Sequence, residues 1–295
     1  MEKLLRRAEE YCETMLNKRE KLLTPELEES IRKFMGRERY GYRINYGTLT
    51  DVYLCLSELK IPTGPDSMKD FIYWFDDYQA FQLVNYFCLE DSKGKKVYDT
   101  ICMFKSRKTA KTTDLVMMAY IKAKIEGKHV LFSSSYNNFI AEECAHQLSL
   151  MYEGKEYVKK IGSKCIIIGG TIFATSRRFL QDICEGDIVV CSDEAQYGCP
   201  LGRVDILTMS STPDAQNYLK YIFETLQYKD NVLKMYHYNW NVSELLEQVS
   251  IQRANPFIRC HPGEIQFRNE LREKGMCGGY LWEQYVYTVL NYFDK

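Results

Sequence analysis

Hydrophobic positions in the middle of the chain follow strand-like and helix-like spacings in turn. The apolar run at 101–104 precedes a basic segment, and an apolar pattern of helical spacing follows at 115–125. A strand is predicted next at 129–134, and Asn137 then caps an amphipathic helix that reaches Met151. Strands that alternate with helices are typical of a parallel sheet covered by helices. The pattern therefore predicts an α/β fold with a mainly parallel sheet flanked by helices.

Three later apolar patterns add strands to this sheet. The β-rich runs 164–168 and 171–175 are separated by two glycines, which predicts a β-hairpin. The continuous apolar run at 188–191 predicts a strand buried on both faces, as in the centre of a parallel sheet. A further strand is predicted at 204–209.

The chain divides into three predicted parts. Residues 1–65 are charged and helical in pattern, with an N-cap at Thr24 before a proline, and form a helical N-terminal segment. Within it, the stretch 40–50 is predicted to be a loop or short hairpin. Residues 66–215 form the sheet-bearing core, and residues 216–295 form a small C-terminal subdomain.

Composition narrows the class of protein. The chain has 295 residues, 45% of them hydrophobic, and no apolar run approaches the ~20 residues that span a bilayer. Its charged N-terminus resembles neither a signal peptide nor a transit peptide. With a net charge of −1, any contact with nucleic acid must come from local patches. The eleven cysteines include no CxxC pair, which favours reduced, mostly buried thiols in a cytoplasmic protein.

The basic segment 105–113 lies between a predicted strand and a predicted helix. Unpaired N–H groups at a helix N-terminus attract phosphate. In a loop of this kind, Lys111 would reach the outer phosphates and the Thr112 hydroxyl would hold Mg²⁺. The usual pattern, GxxxxGK followed by Ser or Thr, is absent, and Ala110 stands where its second glycine belongs. The segment is thus predicted to be a nucleotide-binding loop, and a solvated basic turn is the open alternative.

Two adjacent carboxylates, Asp193 and Glu194, follow the buried strand at 188–191. Ligands of open α/β sheets bind at the carboxyl ends of strands. One carboxylate there can organise a Mg²⁺ shell, and the next can polarise a water for attack on a γ-phosphate. An ordinary strand that ends in an acidic turn is the alternative interpretation.

Two weaker signals agree with a nucleotide site. Gln79 follows Tyr78 at the head of a predicted helix, where an amide can read adenine and a ring can stack on the base. Ser211 and Thr212, before a proline at the tip of the strand 204–209, can sense a γ-phosphate or couple its loss to movement. Tyr-Gln and Ser/Thr-Pro pairs are also common without any function.

In this order, the motifs resemble those of the ATPase half of the large terminases, the DNA-packaging motors of tailed phages and related viruses. The resemblance covers residues 68–290. Tyr78-Gln79 is similar to the family's adenine motif, Asp193-Glu194 to its Walker B motif, and Ser211-Thr212-Pro213 to its coupling motif. The deviant Walker A motif of the family is matched position by position by Ser106, Arg107, Lys108, Thr109, Ala110, Lys111, Thr112 and Thr113.

The resemblance implies a P-loop NTPase of the additional-strand, catalytic-glutamate (ASCE) class, with ATP and Mg²⁺ as cofactors. It implies that Lys111 contacts the β- and γ-phosphates and that Arg107 acts on the γ-phosphate in cis. Thr112 would hold Mg²⁺, with Asp193 organising its shell through water, and Glu194 would orient the attacking water.

Other implied roles lie outside the phosphate-binding core. Gln79 would read adenine, and Thr212 would report hydrolysis to the part that grips DNA. The C-terminal subdomain, 216–295, would be a lid. Family motors also use an arginine from a neighbouring subunit, and the candidates for it are Arg177, Arg178 and Arg203.

The implied function is ATP-driven translocation of double-stranded DNA into a viral capsid. The implied partners are DNA, the portal of the procapsid, a small terminase subunit and copies of the chain in a ring, without a membrane. The implied location is the cytoplasm of the infected host cell, transiently at the procapsid portal.

Two departures from the family leave alternatives open. Ala110 replaces the more frequent glycine, and the chain shows no clustered carboxylates of a nuclease domain. A helicase-like nucleic-acid translocase shares the same motifs, although the residues after Pro213 are too few for a second motor lobe. A non-catalytic nucleotide-binding or scaffold module is the other alternative.

Overall fold

The structure is a computed structural model of the chain. The residues that it describes are 1–17, 23–62, 68–73, 75–105, 109–134, 138–152, 155, 158–162, 164–176, 188–199, 201, 203–210 and 216–238. The α-helices are α1 (Glu2–Asn17), α2 (Pro25–Met35), α3 (Tyr46–Glu58), α4 (Asp77–Leu83), α5 (Lys111–Glu126), α6 (Asn138–Met151) and α7 (Gln216–Gln227). The strands are β1 (Arg43–Ile44), β2 (Leu89–Glu90), β3 (Thr100–Phe104), β4 (His129–Ser133), β5 (Val158–Ile161), β6 (Cys165–Ile168), β7 (Thr171–Ala174), β8 (Ile188–Ser192), β9 (Ile206–Met209) and β10 (Val232–Tyr236).

Eight of these strands form one mixed sheet in the order β10-β3-β9-β8-β4-β7-β6-β5. The six strands from β10 to β7 are parallel, and β6 and β5 continue the sheet as antiparallel strands. The predicted α/β class with a mainly parallel sheet is therefore confirmed, and this architecture is consistent with a P-loop NTPase-like fold. Between β3, which leads into the basic loop, and β8, which leads into the acidic pair, lies β9.

Both faces of the sheet are covered, as the apolar run of β3 illustrates. Ile101 and Met103 join the larger apolar cluster, which also contains side chains of helices α1 to α6. Cys102 and Phe104 point to the opposite face and pack with Phe223 and other side chains of α7. Alternate residues of a strand point to opposite faces, so a strand without polar positions requires cover on both sides.

The hairpin predicted at two glycines is present as β6 and β7. Gly169 and Gly170 have φ angles of 56° and 87°, the left-handed conformations that a tight two-residue hairpin turn requires. β7 also pairs in parallel with β4, so the hairpin extends the main sheet.

The N-terminal helices begin where capping residues predict. The Thr24 side chain accepts a hydrogen bond from the backbone N–H of Leu27 at the start of α2. One predicted loop was wrong in part: α3 begins at Tyr46 because the Asn45 side chain caps it by accepting from the Thr48 N–H. Buried side chains of α1, α2 and α3 belong to the same apolar cluster as the sheet.

The predicted C-terminal boundary needs correction. β10, which the sequence assigned to the subdomain 216–295, is the edge strand of the main sheet and pairs in parallel with β3. The sheet therefore extends beyond the predicted core, 66–215. Residues 239–295, which make up most of the predicted lid, lie outside the described residues.

Two findings bear on the predictions made from composition. The cysteines of the described residues are buried and form no disulfide with one another. None of the described helices is long and apolar enough to cross a bilayer.

Glu126 is the last residue of α5, and its carboxylate lies near three lysine side chains. Its carboxylate lies 2.8 Å from the Nζ of Lys96 and 3.1 Å from those of Lys122 and Lys128. Burial alone would raise the pKa of Glu126, but hydrogen bonds and charge from Lys96 and Lys122 lower it to about 2. A carboxylate whose pKa is lowered by folding stabilises the folded state at pH values above its unfolded-state pKa. This stabilisation is lost as the pH falls through the folded-state pKa.

We therefore expect Glu126→Gln to lower the free energy of unfolding by ~2–3 kcal/mol at neutral pH. The difference from the wild type should shrink as the pH falls from about 4.5 toward about 2. Urea unfolding at neutral and acidic pH measures both effects. Glu28→Gln is the control, because it removes only an exposed pair with Arg32 and should cost less than ~0.5 kcal/mol. Equal losses in the two variants would contradict the assignment.

Candidate active site

The exit of the basic loop and the acidic strand end meet at the carboxyl edge of the sheet. Thr112, in the first turn of α5, donates a hydrogen bond from Oγ1 to Oδ2 of Asp193 at 2.6 Å. The two residues are far apart in sequence, and each was predicted as a magnesium-binding residue. The fold therefore brings together the hydroxyl and the carboxylate that the sequence assigned to one site.

The loop enters α5 through a left-handed residue. Ala110 has φ 57° and ψ 27° and is the N-cap of α5. The next residue, Lys111, is buried, and its positive charge favours the ionised form of Asp193. Of the neighbouring loop residues, Thr109 and Thr113 are buried, and Thr113 accepts a hydrogen bond from Gln147 of α6 at 2.6 Å. Three other predicted loop residues lie outside the described residues: Ser106, Arg107 and Lys108.

Asp193 is a buried carboxylate held by several donors. Besides Thr112, the Thr208 hydroxyl of β9 and the backbone N–H of Glu194 donate to it. Burial raises the pKa of Asp193, and the nearby Glu194 carboxylate raises it further, against the hydrogen bonds and Lys111, which lower it. Because a raised pKa marks a carboxylate whose charge is poorly compensated, a cation bound beside Asp193 would restore the balance.

Glu194 is hydrogen-bonded to polar side chains next to the end of β9. Its Oε2 accepts hydrogen bonds from Ser210 Oγ, at 3.1 Å, and from Gln196 Nε2. Gln196 and Ser210 are fully buried, and the Gln196 Oε1 also accepts from the Ser210 N–H at 3.2 Å. The candidate catalytic carboxylate is thus linked to the residue directly before the predicted coupling motif.

Backbone strain is concentrated at this site. Among the described residues, three that are not glycine have a positive φ, and two of them, Ala110 and Glu194, belong to the site. A left-handed conformation costs a non-glycine residue about 1–2 kcal/mol, and such strain is found preferentially at functional sites.

Ala110→Gly is therefore expected to stabilise the protein by ~0.5–1 kcal/mol, because glycine adopts positive φ without a Cβ clash. Ala123→Gly is the matched control, since Ala123 lies in the right-handed interior of α5 and the same change should destabilise the fold by ~1 kcal/mol. Urea unfolding of both variants checks the opposite signs. Destabilisation by Ala110→Gly would show that the left-handed turn is not maintained in solution.

Tyr78 and Gln79 are enclosed by protein in this structure. Both are fully buried, and both donate to the Asp114 carboxylate of α5, Tyr78 from its hydroxyl at 3.3 Å and Gln79 from Nε2. The Gln79 Oε1 accepts from the Asp76 N–H at 2.7 Å, which completes a capping box at the start of α4. The adenine-reading role stays a prediction, and in this conformation no surface of the Gln79 side chain is open to a base.

Lys105 also differs from its predicted place in the basic loop. It is buried in an ion pair with Asp114, the same carboxylate that receives Tyr78 and Gln79. Asp114 therefore fastens the start of the loop to the helix that follows it and to α4. The positive charge of Lys105 is neutralised within the protein.

The other predicted residues fall in two groups. Ser211 and Thr212 of the coupling motif, and the arginines Arg177 and Arg178, lie outside the described residues. Arg203 is described, is exposed, and lines a separate cleft at the carboxyl edge of the sheet.

Sequence reasoning missed four polar residues that shape the site: Asp114, Gln196, Thr208 and Ser210. Asp114 gives a signal in retrospect, because an acidic residue at the start of an otherwise apolar helix suits the helix dipole. The polar residues near the end of the strand 204–209 gave no such signal. Their contacts with the acid pair depend on the register between β9 and β8, which is a property of the assembled sheet.

The donor set fits Mg²⁺ with a nucleotide. Hydroxyl and carboxylate oxygens are the ligands that Mg²⁺ prefers, and it is typically held by one or two protein oxygens together with waters and substrate phosphates. No cluster of three or more His, Cys, Asp or Glu side chains that could hold a metal occurs in the described part of the chain. Thr112 and Asp193 supply one hydroxyl and one carboxylate oxygen donor of the kind that Mg²⁺ prefers.

Comparisons with known proteins address the fold. No protein-family model and no curated protein sequence matches the chain. Among solved structures, it is similar to the crystal structure of the HK97 bacteriophage large terminase, with a TM-score of 0.56 and 11% sequence identity. The alignment covers 81% of this chain and 54% of the terminase chain. The chain has a terminase-like fold.

The chain spans about half the length of that large terminase. At 11% identity, the likeness concerns the fold alone. Any role of a residue in this chain must therefore be argued from the geometry of this chain's own site.

Proposed function

We propose that the chain is an ATP-hydrolysing motor of the large-terminase type that translocates double-stranded viral DNA into a capsid. The observation that carries the proposal is the 2.6 Å hydrogen bond from Thr112 to Asp193. It joins the end of a deviant Walker A loop to the start of a Walker B acid pair inside a terminase-like fold. If the basic segment were a solvated turn and the acidic pair an unrelated turn, nothing would favour a contact between Thr112 and Asp193.

The order of strands supports the additional-strand, catalytic-glutamate class. β9 lies between the strand that precedes the loop and the strand that precedes the acid pair. Thr208 of β9 and Ser210, which directly follows the strand, contact the two acids, one each. A strand in that place can therefore respond to both carboxylates at once.

Each residue then has a defined role in phosphate transfer. Lys111 neutralises the β- and γ-phosphates, and Thr112 and Asp193 hold the metal, Asp193 through water. With ATP bound, a Mg²⁺ held by these residues would neutralise the charge that develops during phosphate transfer. Glu194 orients the attacking water and accepts its proton, and Arg107 of the loop acts on the γ-phosphate in cis.

The proposal extends to the assembly. Motors of this type act as rings at a procapsid portal, with a small terminase subunit as a partner, in the cytoplasm of the infected cell. An arginine from a neighbouring copy, Arg177, Arg178 or Arg203, completes the site. An isolated chain is then slow, because arginine fingers supply rate factors of ~10³–10⁵ in well-studied NTPases.

ATP turnover measured with and without duplex DNA, beside strand separation on a forked duplex, tests the proposal. We expect turnover that duplex DNA stimulates and no strand separation. Unwinding of the fork would instead favour the helicase-like translocase. Absence of ATP binding would favour the non-catalytic module.

A further inference from the structure

A second concave site opens at the carboxyl edge of the sheet, beside the acid pair. Its volume is about 350 Å³, and it is lined by the ends of β4 and β7 and by Val190 in the middle of β8. In the sheet order, β4 and β7 stand on the side of β8 away from the basic loop. The polar side chains that line this cleft are Ser133, Ser134, Asn138, Thr175, Ser176 and Arg203.

The chemistry of this cleft is that of an anion site. Its described lining residues contribute hydroxyl groups, one amide and one guanidinium, and none of them is a carboxylate. The two adjacent glutamates of α6, Glu142 and Glu143, line a different cavity beside β5 and β6. Arg203 is exposed, and no carboxylate within the described ranges forms an ion pair with it.

We propose that this cleft binds a phosphate group of a nucleic-acid backbone, with Arg203 as the anchoring cation. The inference rests on the proposed function, in which nucleic acid is the object that the motor moves. Arginine pairs with phosphate through a planar set of N–H donors, and hydroxyl and amide side chains supply the neutral contacts typical of backbone recognition.

The shape of the cleft favours a backbone phosphate over the nucleotide of a neighbouring copy. An arginine finger must protrude to reach another subunit's site, whereas Arg203 forms part of a concave surface together with strand ends. One guanidinium among neutral donors matches the single charge of a phosphodiester.

The cleft is also close to the acid pair across the sheet, because β4 and β8 are neighbouring strands. Ser133 of β4 is in register with Ser192 of β8, and Asp193 follows Ser192 directly. A backbone phosphate bound near Ser133 therefore lies one strand away from the residues assigned to hydrolysis.

Fluorescence anisotropy with a short labelled DNA duplex over a series of salt concentrations tests this proposal. Arg203→Ala should weaken binding about 5–10-fold and lower the slope of log K against log salt by about 1, because one phosphate contact is lost. Arg203→Lys keeps the charge and should retain the slope. Arg39→Ala is the matched control, since Arg39 is exposed, lies in the N-terminal 3₁₀ helix Arg37–Tyr40, and has no ion pair among the described residues.

Three outcomes would overturn the inference. Equal effects of Arg203→Ala and Arg39→Ala on DNA affinity would remove Arg203 from the interface. A wild-type chain that binds ATP but not DNA would reject the cleft while leaving the ATPase intact. Unchanged DNA binding together with loss of ATP turnover in Arg203→Ala would assign Arg203 to a neighbour's nucleotide. A wild-type chain that binds DNA through Arg203 but not ATP would uphold the cleft and contradict the proposed ATPase.

Discussion

Glu194→Gln is expected to reduce ATP turnover by about 10²–10⁴-fold while leaving ATP affinity nearly unchanged. The carboxylate at Glu194 follows the acid that organises the metal and is the group in the site suited to accept a proton from water. Glutamine has the same shape and cannot act as a base. The loss should therefore fall on the catalytic rate and not on binding.

The surroundings of Glu194 make this variant informative. Ser210 and Gln196 donate to the carboxylate, and a glutamine at 194 can still accept through its carbonyl oxygen. Fold and loop geometry should therefore persist. Glu38→Gln, at an exposed position of the N-terminal 3₁₀ helix, is the control and should leave turnover unchanged. Full ATPase activity in Glu194→Gln would remove the Walker B assignment.

Lys111→Ala is expected to weaken Mg·ATP binding by about 10–100-fold, because a hydrogen bond to a charged group contributes ~1.5–3 kcal/mol. Lys111 is buried at the start of α5, beside the predicted position of the phosphates, where its charge is poorly screened. Calorimetric titration with Mg·ATP measures the change directly.

Lys124→Ala provides the control for this loss. Lys124 lies in the last turn of the same helix and is exposed, so its removal should leave ATP affinity unchanged. Urea unfolding of both variants separates binding from stability. ATP affinity that is unaffected by Lys111→Ala would contradict a nucleotide site at this loop.

Sequence reasoning succeeded where a residue's role follows from its place on one element. The apolar runs of β3 and β8 predicted two strands of a mainly parallel sheet, and polar residues at their carboxyl ends had to meet at one edge. The contact between Thr112 and Asp193 follows from that geometry. The left-handed conformation of Ala110 agrees with its place in the motif, where a glycine is more frequent.

The rest depended on contacts between elements that are distant in sequence. Nothing in the basic segment distinguishes Lys105 from its neighbours until Asp114 and α4 enclose it. Gln79 looked available because its helix was read in isolation, whereas a capping box and Asp114 occupy its amide. β10 was assigned to a lid because strand order is a property of the whole sheet.

A crystal structure of the chain with Mg²⁺ and a non-hydrolysable ATP analogue tests the central claim most directly. The account predicts the triphosphate at the N-terminus of α5, with Lys111 on the β- and γ-phosphates, the metal at Thr112 and Asp193, and Glu194 facing the γ-phosphate. An analogue bound elsewhere, or a hydrogen bond between Thr112 and Asp193 that persists with no nucleotide beside it at saturating analogue, would contradict it.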